Sequence, residues 1–98
     1  MKEITKEEIE IINKFWEQND ATFEEDHDKF FDKETCNEKD YDEVEGLFWK
    51  YLITGQHWSA TNKKIMHDNG FVCWAVDKDS YGLLVACVTK NGKTFSFG

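Results

Sequence analysis

The chain has no proline, no arginine and only three cysteines in 98 residues. Without proline, edge strands lack one common guard against pairing with other chains, and Lys63, Lys64 and Lys93 are left to serve instead. With every basic residue a lysine, and a net charge of -8, the chain is a poor binder of phosphates. Direct contact with nucleic acid or with an anionic membrane is therefore not expected. Frequent Asn, Ile and Glu beside the all-lysine basic set fit an A/T-rich coding sequence, as in phage or low-GC bacteria. Cys36, Cys73 and Cys87 are an odd number without short paired spacing, which argues against a disulfide framework or a two-pair zinc site. Apolar runs long enough for a membrane span, about 18 residues, are also missing. The opening residues, Met1 to Glu8, are too charged for a signal peptide, so a cytoplasmic protein is expected.

Chemistry-bearing motifs are missing too. His27, His57 and His67 lack the short spacings of zinc ligands. Asp40 to Gly46 resembles a calcium loop only briefly, because Val44 and Glu45 occupy positions that need a ligand and a glycine. There is no nucleophile elbow or phosphate-binding glycine loop, and Cys36 has no local activating base. The carboxylates are expected in solvent, where they stay ionised and make poor general acids. No catalytic residue, metal or cofactor is expected.

What is present is aromatic and acidic. Eight Phe, four Trp and three Tyr supply a core, and the length fits one domain, residues 1–98. Twelve of the twenty carboxylates lie between Asp20 and Glu45 against three lysines, a formal charge of minus nine. Residues 1–19 carry minus two and residues 46–98 plus three, so the acidity is local. A local field can steer a basic partner to one face.

The periodicity predicts an α+β fold, with about three helices in residues 1–55 packed on an antiparallel meander of three to four strands in residues 56–98. Thr5-x-x-Glu8 is a capping box, with Ile4 and Ile9 as its staple, and opens a helix whose stripe is Ile9, Ile12 and Trp16, widened by Ile11 and Phe15. A second box, Thr22-x-x-Glu25, predicts a helix burying Phe23, His27, Phe30 and Phe31. Asp40 or Asp42 would cap a third helix, carrying Val44, Leu47, Phe48, Tyr51 and Leu52 and ending at Gly55.

Two Asn-Gly pairs then read as hairpin turns. Asn69-Gly70 would pair Ile65 with Trp74 and place Ile65, Val72, Trp74 and Val76 on one face. Asn91-Gly92 would pair Val88 with Phe95 and Ala86 with Phe97, giving a face of Leu84, Ala86, Val88, Phe95 and Phe97. A second apolar face, with Leu83, Val85 and Cys87 beside Cys73 and Ala75, is either covered from within or open to a homodimer.

The order of three helices before an antiparallel sheet resembles the nuclear transport factor 2-like fold. That family usually has further strands after the position of Gly98, so its ligand pocket is not carried over. The resemblance implies a second reading: a small curved-sheet ligand-binding protein or enzyme with Trp58, His57, Trp74 or Tyr81 around a cavity.

The acids admit two explanations. Glu24, Glu25, Asp26, Asp42 and Glu43 fit first-turn positions that satisfy free amides and complement the helix dipole. Glu24, Asp28 and Asp32, spaced by four on the expected second helix, instead form a like-charge row that resembles the spacing of phosphates. Asp42, Glu45 and Trp49 add acids and a potential anchor on the outer side of the third helix. The leading expectation is a small inhibitor presenting Glu24, Asp28, Asp32, Asp42, Glu45 and Trp49 to the basic nucleic-acid groove of another protein. Anti-restriction, anti-CRISPR and nuclease immunity proteins are of this class. An accessory subunit of a complex is a third possibility.

Overall fold

The computed structural model describes residues 3–23, 29–51, 58–78, 81 and 84–97. Three helices pack on an antiparallel meander, as expected, but two short strands join the sheet and one helix is a different one. The order is α1 (Lys6–Gln18), β1 (Thr22–Phe23), β2 (Lys29–Phe30), α2 (Glu38–Tyr51), α3 (Ala60–Asp68), β3 (Val72–Lys78), β4 (Leu84–Lys90) and β5 (Lys93–Phe97).

The capping box at the start of α1 forms in both directions. The Thr5 hydroxyl accepts from the Glu8 amide at 3.1 Å, and the Glu8 carboxylate accepts from the Thr5 amide at 3.1 Å. Ile9, Ile12, Phe15 and Trp16 are buried, with Ile4 beside them in the core. The helix ends at Asn19, whose amide donates to the Phe15 carbonyl.

The helix predicted from Thr22 does not form. Thr22 and Phe23 pair antiparallel with Phe30 and Lys29, and the Thr22 hydroxyl donates to the Phe30 carbonyl at 2.8 Å instead of capping a helix. β2 then runs parallel to β5, pairing Lys29 with Lys93 and Phe30 with Thr94. Two physical reasons favour the strand. The acid row would have weakened a helix, whereas the strand gives β5 a hydrogen-bonded neighbour and delivers Phe31 to the core. Phe31 donates its amide to the Thr94 carbonyl at 3.0 Å and packs 4.7 Å from the rings of Phe15 and Trp16. His27 lies outside the described residues.

α2 begins earlier than predicted because Asn37, not Asp40 or Asp42, is its cap. The Asn37 side chain accepts from the Asp40 amide at 3.2 Å. Val44, Phe48 and Tyr51 are buried and Leu47 is half-buried, as the spacing predicts. Leu52 and the expected stop at Gly55 lie outside the described residues.

Asn69-Gly70 is a helix terminus and not a hairpin turn. Gly70 takes φ +83 after α3, and the Phe71 amide donates to the Met66 carbonyl at 2.9 Å, a Schellman-type ending. Ile65 is therefore helical and does not pair with Trp74, and Val72 does not join the proposed core face, whereas Val76 still pairs with Ala86. Val72 is 48% exposed, while Phe71 is buried at 1%. The register skips Trp74, so Cys73 opposes Val88 and Ala75 opposes Cys87. That bulge moves Cys73 to the core side, away from the second face where Cys87 touches Ser96.

The second Asn-Gly pair behaves as predicted. Asn91 (φ 53) and Gly92 (φ 75) form the turn, Val88 pairs with Phe95 and Ala86 with Phe97. Ala86, Val88 and Phe95 are fully buried against the helices. The sheet order is β1-β2-β5-β4-β3, mixed because of the parallel β2–β5 pair.

Glu8 ties the two long helices together. Its side chain, 14% exposed, accepts from Lys50 at 3.1 Å and from the Tyr51 hydroxyl. Burial raises its pKa, but the hydrogen bonds from Tyr51, the Thr5 amide and Lys50 outweigh this and hold it at about 2. A folded-state pKa below the unfolded one means stability that is present above about 4.5 and lost as pH falls towards 2. Glu8→Gln is expected to cost roughly 1–3 kcal/mol at neutral pH. In acid titrations followed by circular dichroism, its stability should fall less than that of the parent below pH 4.5.

Candidate interaction surface

α2 presents two unlike sides. Val44, Phe48 and Tyr51 hold one in the core, with the Phe48 ring 5.3 Å from Phe95. Glu38, Asp42, Glu45 and Trp49 recur at i, i+4, i+7 and i+11 on the other, a stripe about 16 Å long. Glu38 and Asp42 are exposed, Glu45 is half-exposed and Trp49 is 37% exposed. Gly46 lies on the same side, and a Cβ there would meet nothing within 4 Å among the described residues.

The expected six-residue site is therefore brought together only in part. Asp42, Glu45 and Trp49 share the stripe. Asp32 does not join a helical row with Glu24 and Asp28. It follows β2 outside any helix, and its side chain accepts from the Glu34 amide at 2.8 Å while its carbonyl accepts from Cys36 at 3.0 Å. Its charge closes a turn. Glu24 and Asp28 lie outside the described residues. Glu38 was missed by the sequence reasoning, although Asn37-x-x-Asp40 is a readable cap that puts Glu38 four residues before Asp42.

The stripe is not purely negative. Lys33, from the turn after β2, lies 3.0 Å from Asp42 and 3.8 Å from Glu38. Its hydrogen bond to Asp42, and then the charges of Asp42, Glu38 and Glu45, raise its pKa. One ammonium thus faces three carboxylates, and the stripe keeps a negative excess. The side of α2 facing α1 carries Asp40 and Glu43 along a groove of about 190 Å³, with Ile11, Lys14, Phe15, Gln18 and Val44 as its other walls.

The remaining chemistry is sparse. Burial raises the pKa of Cys36, and burial followed by the nearby Cys87 raises that of Cys73 to about 11, so both stay thiols at neutral pH. Among the described residues, no group of three or more His, Cys, Asp or Glu side chains could hold a metal ion. Nor is any helix long and apolar enough to cross a membrane. Trp58 is buried beside Phe48 and borders a cleft of about 40 Å³ that Tyr81, 88% exposed, does not line. His57 and the Trp74 side chain fall outside the described residues. Comparison with protein families, curated proteins and solved structures finds no match to this chain.

Removing the internal counter-ion should sharpen the negative field. Lys33→Ala is expected to leave the melting temperature nearly unchanged, because both ion pairs are at least half exposed. It should increase the retention of the protein on an anion-exchange column beyond that of a Lys39→Ala control with the same net charge.

Proposed function

We propose that the protein is a small inhibitor that docks the acidic stripe of α2 on the basic nucleic-acid-binding surface of another protein. The observation that carries this reading is the joint exposure of Glu38, Asp42, Glu45 and Trp49 on one helical face whose opposite face is fixed in the core. Carboxylates about 6 Å apart along a rigid helix offer a basic groove regularly spaced negative charge. Trp49, a residue type enriched among interface anchors, supplies apolar area in the same patch.

The mechanism is occupancy. Long-range attraction from the acidic segment speeds the encounter, and Trp49 holds the bound state by slowing dissociation. Phage-type antagonists of restriction or CRISPR effectors and nuclease immunity proteins act in this class of setting. The lysine of the stripe would be drawn away from Asp42 and Glu38 as basic groups of the partner approach.

Affinity capture from a bacterial lysate at low and high salt tests the reading, with captured proteins identified by mass spectrometry and their nucleic-acid binding assayed. The expected captive is a nucleic-acid-binding protein whose recovery falls as salt rises. Neutralising the stripe with Glu38→Gln, Asp42→Asn and Glu45→Gln together should slow association by roughly tenfold at low salt. Trp49→Ala should weaken the complex by about 2 kcal/mol, mainly through dissociation. A captive held equally well by these variants and at high salt would show that another surface binds it.

A further inference from the structure

The two Asn-Gly pairs differ in how the fold holds them, and we infer that Asn91 is a site of spontaneous deamidation while Asn69 is protected. In this reaction the Gly amide nitrogen attacks the Asn side-chain carbonyl carbon. The new N–C bond forms as the side-chain nitrogen leaves as ammonia, taking the amide proton. Water then opens the five-membered imide at either carbonyl, leaving an aspartyl or isoaspartyl linkage. One water enters and one ammonia departs, without an oxidant or an enzyme. A free asparagine side chain and a free glycine amide are both needed.

At Asn69 neither is free. Its side-chain nitrogen donates to the Ile65 carbonyl at 2.9 Å, and its side-chain oxygen accepts from Asn13 at 3.3 Å. The Gly70 amide, which would be the nucleophile, donates to the His67 carbonyl at 2.9 Å. Lys90 braces the same corner, donating to Asn13 at 2.6 Å. Ring closure there requires the end of α3 to unravel.

At Asn91 the restraints are fewer. Asn91 and Gly92 are both exposed, and among the described residues no hydrogen bond holds the Asn91 side chain or the Gly92 amide. For the ring to close, the left-handed turn, with φ 53 at Asn91, has to open, against the bonds that the Lys90 and Gly92 carbonyls accept from Trp16 and Lys29. Opening a two-residue loop costs less than opening a capped helix end within the fold.

The two products differ in consequence. An aspartyl residue is accepted in this turn type. An isoaspartyl linkage adds a backbone atom to the two-residue loop and breaks the register of Lys90 with Lys93. The Lys90 carbonyl accepts from the Trp16 indole and the Gly92 carbonyl from the Lys29 amide, so the lesion loosens both α1 and β2 from the hairpin.

The test is incubation of the folded full chain in mildly alkaline buffer, with peptide mapping over time. Position 91 is expected to convert first, with position 69 at least roughly tenfold slower. In denaturant, where both pairs are free, the two rates should approach each other. The fraction enriched in isoaspartate should melt at a lower temperature than the parent. Equal or faster conversion at position 69 in the folded protein would overturn the inference, as would a bias towards position 91 that persists in denaturant. So would a position 91 that stays intact while the denatured chain converts.

Discussion

The Trp16 indole is the point at which the elements of this chain meet. Its ring lies 4.7 Å from Phe31, 5.0 Å from Phe71, 6.2 Å from Phe48 and 6.4 Å from Phe95, mostly in edge-to-face contact. Those four rings come from the segment after β2, the loop after α3, α2 and β5. Its indole nitrogen donates to the Lys90 carbonyl at 3.0 Å, and its own carbonyl accepts from Lys93 at 3.1 Å. One residue thus combines aromatic packing, worth about 0.5–1.5 kcal/mol per pair beyond area burial, with the polar tie that fixes the β4–β5 turn against α1. A phenylalanine could supply much of the packing and none of the tie.

That arrangement explains which elements were legible in the sequence. Where a local motif and the tertiary demand agree, as at the Thr5 capping box and the Asn91-Gly92 turn, the prediction holds to the residue. Where a motif serves two geometries, the core decides. Thr22-x-x-Glu25 matches a helix cap, yet the core needs Phe31 beside Trp16 and β5 needs a neighbour, and a pair of two-residue strands has no periodicity to announce it. Asn-Gly supplies left-handed backbone equally well to a hairpin and to a helix terminus, which is why position 69 misled.

α3 was hidden for a different reason. Its inward stripe is Asn62, Ile65 and Met66, and a buried asparagine breaks the apolar pattern that marks a helix. Asn62 is inside because its side-chain oxygen accepts from the Ile4 amide at 2.8 Å, a group that would otherwise be buried without a partner. Such a residue is chosen by a contact 58 positions away and leaves no local signal. The candidate surface divides in the same way. Asp42, Glu45 and Trp49 follow from helical spacing alone, whereas the role of Asp32 depends on a turn that only the sheet creates.

The division of labour on α2 has a consequence for how the surface can vary. Its core side is fixed by close packing with Phe95 and by the Tyr51–Glu8–Lys50 cluster, where small changes in volume or charge are felt through the whole fold. On its outer side, Gly46 has room for a side chain, and Glu38 and Asp42 touch only Lys33 among the described ion pairs. Substitutions at Glu38, Asp42 and Gly46 therefore change the field and the contact area with little effect on the scaffold. On the proposed reading, such a surface is open to retuning one residue at a time, because the helix that carries it is held from behind.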